Sequence, residues 1–151
     1  KIFQNIFQKY RRGNILEKYV VRHKKIGISP TTIHKPFGNY SHGILNSKNG
    51  LLMTSGQLGI NLDGSIPTSF SEQTNICFSN IFSIIKEAAF DPEDILRLNT
   101  FLTDRKNLNE YMKIRDKFFS NISVKPASTV VIVSGFTKEE FLVEIEATAQ
   151  R

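Results

Sequence analysis

The amino-acid sequence predicts a single α+β domain, with two helices packed on one face of a mixed sheet in the order ββαβαββ. Three observations carry that reading. Two segments, residues 70–89 and 108–119, repeat apolar residues at helical spacing. Five others, at 41–46, 51–57, 95–102, 129–133 and 141–149, alternate or run in β-branched residues, as strands do. The chain has 151 residues, 40% hydrophobic and 23% charged, which suits one domain with a sizeable core. Two helices on one sheet face would bury both apolar stripes at once.

Each element has a local reason. Ser41 to Asn46 reads as the first strand, and Ser47-Lys48-Asn49-Gly50 as its turn, with Asn49-Gly50 supplying positive φ values. Leu51 to Gln57 is the second strand, followed by a turn at Asn61–Ser65. The first helix runs from Phe70 to Ala89 and is capped by Ser69 or Ser71. Its stripe is Cys77, Ile81, Ile84, Ile85 and Ala88. Asp91-Pro92 ends it, because a residue before proline avoids the helical region. Asp91 to Asp94 then forms a tight turn or a single helical turn. In Ile95 to Leu102, alternation places Leu96, Leu98, Thr100 and Leu102 on one face and Ile95, Arg97, Asn99 and Phe101 on the other. The second helix spans Leu108 to Phe119, with Tyr111, Met112, Phe118 and a snorkelling Arg115 on its stripe. Thr129 to Val133 is a β-branched strand, Ser134-Gly135 turns the chain, and Phe141 to Ala149 is the last strand.

Composition narrows the function classes. No run approaches the roughly 18 apolar residues of a membrane-spanning helix. One cysteine, Cys77, excludes an internal disulfide and a thiolate metal cluster, and fits a reducing intracellular compartment, cytoplasm or organelle. The three histidines, His23, His34 and His42, lack metal-ligand spacing, so no metal or cofactor is expected.

The charge is uneven. Residues 1–35 hold nine Lys/Arg against one acid, Glu17, a net of +8. Residues 36–151 are net −2. The first segment reads as a basic extension, and three interpretations are open: the remnant of a targeting sequence, an arm for RNA or an anionic surface, or a solvated tail. Ile2, Phe3, Ile6 and Phe7 recur at i, i+4, which predicts a short amphipathic helix there. Gly27 to Thr32 reads as an extended lead-in.

Four ordered stretches of residues 36–151 carry a resemblance. They are Gly38-Asn39-Tyr40-Ser41-His42, Met53-Thr54-Ser55-Gly56-Gln57, Thr100-Phe101-Leu102-Thr103-Asp104, and Pro126-Ala127-Ser128-Thr129-Val130 with Val143-Glu144-Ile145-Glu146-Ala147. Together they resemble the reactive-intermediate deaminase family, RidA or YjgF, some of whose members bear an L-PSP endoribonuclease label. The resemblance implies a chorismate-mutase-like fold and a homotrimer whose sheets form a barrel with three inter-subunit clefts. It also implies hydrolysis of enamines and imines, such as 2-aminoacrylate, to 2-keto acids and ammonia.

Imine hydrolysis needs a group that positions and deprotonates water, and a group that holds the substrate. The resemblance places Glu144 at the first task. Glu146, two residues on, shares its strand face, so each charge opposes ionisation of the other. The plain alternative is two solvent-facing charges on an alternating strand. Tyr40 matches the tyrosine that closes the family pocket, and Ser55 and Gly56 match a turn whose backbone lines it. Ser128 stands where the family's catalytic branch has a carboxylate-holding arginine, Val130 where it often has cysteine, and Met112 where it often has asparagine. A hydroxyl cannot reproduce the two-point, charge-assisted grip of a guanidinium. Arg97, Arg105 and Arg115 are the cations that could compensate.

Three functions stay open at this stage. One is an imine deaminase, weakened or retuned. Another is a trimer that binds a keto-acid-like ligand or a partner without catalysis. The third is RNA binding or cleavage, which the basic arm favours and the acidic body opposes.

Overall fold

The computed structural model describes residues 24–151. The helix expected at residues 2–7, and the basic stretch up to His23, lie outside these described residues. Seven strands and two α-helices follow: β1 (Lys25–Ile28), β2 (Gly43–Asn46), β3 (Leu51–Thr54), β4 (Gln57–Leu58), α1 (Phe70–Glu87), β5 (Ile95–Leu102), α2 (Leu108–Phe118), β6 (Ala127–Ile132) and β7 (Val143–Gln150). The sheet order is β1-β2-β3-β7-β5-β6, with β4 also on β7. Among the described residues only β5 and β6 pair in parallel, and α2 supplies the crossover that such a pair requires. Beyond the extra strand β1 and the split of the second strand, the order is the ββαβαββ read from the sequence.

Both helices cover one sheet face. From α1, Cys77, Phe78, Ile81, Ile84 and Ile85 are buried against Leu98, Leu102, Val143, Ile145 and Ala147 of the sheet. Full burial of one such large side chain contributes about 1.5–3 kcal/mol, so this layer dominates stability. From α2, Tyr111 is fully buried and Met112 and Phe118 are partly so. The Tyr111 hydroxyl bonds the Thr100 hydroxyl of β5 at 2.7 Å, which satisfies two polar groups inside the core.

Several boundaries differ from expectation, each for a physical reason. Part of the expected lead-in is strand. Lys25–Ile28 pairs antiparallel with β2, and that pairing buries Ile28. The hairpin loop between β2 and β3 uses four residues, so only Gly50 needs a positive φ (64°). The alternation in β5 breaks at Leu96. A register irregularity between Ile95 and Arg97 buries Ile95 and leaves Leu96 exposed, the reverse of simple alternation. Ser69, not Ser71, caps α1, accepting from Glu72 N at 3.4 Å. The helix ends at Glu87, before the proline acts, because Ala89 adopts φ 61° while its N–H donates to Lys86 O.

Candidate functional site

The expected second strand is interrupted at Ser55-Gly56. Ser55 N donates to His42 O at 2.8 Å, and Ser55 Oγ donates to Ser41 O at 2.8 Å. The chain then re-pairs as β4, with Leu58 opposite Glu144 of β7. The turn therefore stands against the start of β7. A β-carbon on Gly56 would fall among the carboxylate and Cγ of Glu144. Only glycine lets the backbone come so close to that side chain.

Glu144 lines an open cleft of about 580 Å³ with Phe37, Tyr40, Gly56, Leu58 and Phe136. The Tyr40 ring is 46% exposed, and its hydroxyl accepts from Phe37 N at 3.2 Å. Glu144 is half-buried. Burial raises its carboxyl pKa above the usual glutamate value, and the neighbouring Glu146 charge adds to the rise. Glu146 has its own partner, since Asn99 Nδ2 donates to its Oε1 at 2.8 Å. Arg97 Nε donates to Asn99 Oδ1 at 3.0 Å, and Arg97 Nη2 to Thr129 Oγ1 at 2.9 Å. A polar chain thus crosses β6, β5 and β7 on the face opposite the helices. A hollow of about 640 Å³ between Ser29–Thr32 and Lys86-Glu87 is slightly larger. Hydroxyls and helix-surface charges line it.

Of the residues singled out by sequence, Glu144, Tyr40 and Gly56 line one cleft, with Ser55 as the anchor of its turn. Ser128 and Val130 do not join them within the chain. Ser128 pairs with Leu98 and Val130 with Thr100, both on the helix-covered face, whereas Glu144 pairs with Phe101 on the other. Val130 and Met112 pack partly buried against the core. Ser128 Oγ accepts from Arg115 Nη1 at 3.4 Å, so Arg115 is the one cation of the three considered that reaches Ser128. The Arg115 guanidinium also meets the Asp116 carboxylate at 2.7 Å. Cys77 is core, and burial, then the Glu144 charge, pushes its thiol far up, so it is no nucleophile. Among the described residues no three His, Cys, Asp or Glu side chains converge on a metal-sized site.

Sequence reasoning missed Phe37, Leu58 and Phe136 as cleft walls. Phe37 carried a usable signal, being an aromatic just after Pro36 in a stretch with no strand or helix pattern. Phe136 follows a turn and gave no such cue.

The chain as a whole is similar to known proteins. The family model described as Endoribonuclease L-PSP matches residues 31–151. A RutC family protein of Leuconostoc mesenteroides is 36% identical over 132 residues, covering 85% of this chain and 98% of the relative. A RutC family protein of Aquifex aeolicus is 37% identical over 97 residues, covering 64% and 76%. Among solved structures, a Rid-family protein of unknown function from Yersinia pestis superposes with TM-score 0.78 at 30% identity, covering 85% of this chain and all of that one. Escherichia coli TdcF with bound serine superposes with TM-score 0.78 at 26% identity, covering 84% and 99%.

Proposed function

Because this chain belongs to the RidA/YjgF/L-PSP family, we propose that it hydrolyses small enamines and imines to 2-keto acids and ammonia. One observation carries the reading. A half-buried glutamate of raised pKa, Glu144, is packed against a glycine turn in a cleft with an aromatic wall. Such a carboxyl binds and releases a proton more readily than an exposed glutamate as pH approaches the working range. In the reaction, an enamine such as 2-aminoacrylate tautomerises to its imine. Glu144 orients a water molecule and takes its proton as the oxygen bonds to the imine carbon. That proton passes to nitrogen to give a carbinolamine, the remaining hydroxyl proton follows it to nitrogen as the C–N bond breaks, and ammonia leaves as the carbonyl forms. Tyr40 closes the cleft over the substrate, and the Ser55-Gly56 turn lines it.

The working unit in this reading is a homotrimer, with the helix-free sheet faces turned inward. That face exposes Ile44, Met53 and Val131. In such an assembly β6, the edge strand that carries Ser128 and Val130, would border the Glu144 cleft of the next subunit. The bound serine of E. coli TdcF supports a ligand of amino-acid or keto-acid size. The test is keto-acid and ammonia release with Glu144→Gln beside the wild type.

Ser128 favours a second reading, a trimer that binds such a ligand without turning it over. It lacks the guanidinium that would fix a carboxylate, a loss typically worth about 2–5 kcal/mol. Thermal protection by a 2-keto acid, with no turnover of the imine, would select it. RNA cleavage, the activity in the matched model's description, finds less support in a body of net charge −2.

A further inference from the structure

Behind the Gly56 turn lies a buried polar pair that the proposed reaction leaves unused. Gln57 is 2% exposed and His42 7%. One hydrogen of the Gln57 amide is shared between Ser55 O at 3.1 Å and Gly56 O at 3.4 Å, the two carbonyls of the turn. The amide nitrogen also lies 3.4 Å from His42 Nδ1. His42 Nε2 is 2.8 Å from His34 O. A carbonyl can only accept, so Nε2 carries the proton and Nδ1 accepts from Gln57. The histidine thereby fixes which way the amide points. The same ring stands edge-on to Tyr40, centroids 6.5 Å apart, and the His34 ring packs on Phe37 at 5.3 Å. One network touches both walls of the cleft.

We infer that Gln57, oriented by His42, is a positioning residue that holds the Gly56 turn against Glu144. The inference rests on Glu144 being the working group of the cleft. Held by one buried amide, the turn keeps the Gly56 backbone packed on the Glu144 side chain, where it shields the carboxyl from water. Removing the donor frees the turn and opens a path for water to Glu144. A glutamine at position 42 can donate to His34 O and accept from Gln57 as the neutral imidazole does, whereas leucine can do neither.

The test reads Glu144 directly and needs no turnover, so it stands apart from the success or failure of the deaminase reading. Carbon-detected NMR titration of the Glu144 carboxyl, assigned with Glu144→Gln, is run on wild type, Gln57→Leu, His42→Leu and His42→Gln. Thermal unfolding confirms that each variant is folded. The expected result is a wild-type midpoint above the ordinary glutamate value of about 4.3. The midpoint falls back towards that value in both leucine variants and is retained in His42→Gln. An unmoved midpoint in the folded leucine variants overturns the inference, as does a His42→Gln chain that titrates like His42→Leu. Should Gln57→Leu fail to fold, the His42 pair decides.

Discussion

Gly56 and Glu144 share one space: the carboxyl carbon of Glu144 lies 2.5 Å, and its Cγ 2.8 Å, from where a Gly56 β-carbon would sit. Gly56→Ala must therefore push the glutamate out of its place. Overpacking of this kind costs about 1–3 kcal/mol. Displacing the proton-transfer group should lower deaminase turnover on the order of 100-fold. Urea denaturation and initial rates on the one variant measure both.

The raised Glu144 pKa sets a pH dependence of stability. The folded value lies above the unfolded one. Between the two, the folded chain holds the extra proton, so stability falls as pH rises through that window. Glu144→Gln cannot acquire the charge. The variant should gain on the wild type as pH rises from about 4 towards neutrality, and the advantage should vanish on acidification. Denaturation midpoints across pH check this, and a pH-independent difference contradicts it.

The sequence made the helices and the cleft's glycine legible, because their causes are local. The stripe from Cys77 to Ile85 and the motif around Gly56 needed no knowledge of distant partners. What escaped it depended on pairing. Strand β1 exists because Gly43–Asn46 offers it an edge. Leu96 faces out because the β5 register slips against β7. The separation of Ser128 from Glu144 follows from which sheet face each pairing assigns, and sequence spacing does not encode that.

Tyr111 and Thr100 bond at 2.7 Å with neither exposed. Tyr111→Phe strands the threonine hydroxyl and should cost about 1–3 kcal/mol. Adding Thr100→Val removes the orphaned group, so the double variant should recover part of the loss. A double-mutant cycle of unfolding free energies measures it, and strict additivity would contradict the coupling.

Ala89 is a left-handed residue without the freedom of glycine, at φ 61°. Ala89→Gly should stabilise the chain by about 0.5–1 kcal/mol, since the strain relieved exceeds the entropy added to the unfolded state. Thermal unfolding reads it as a rise in midpoint.

The central claim is tested most directly by generating 2-aminoacrylate enzymatically and following 2-keto acid and ammonia together. The account predicts equimolar release by the wild type, reduced on the order of 100-fold in Glu144→Gln. A wild type that releases nothing above the uncatalysed rate, or a Glu144→Gln variant with full turnover, would contradict it.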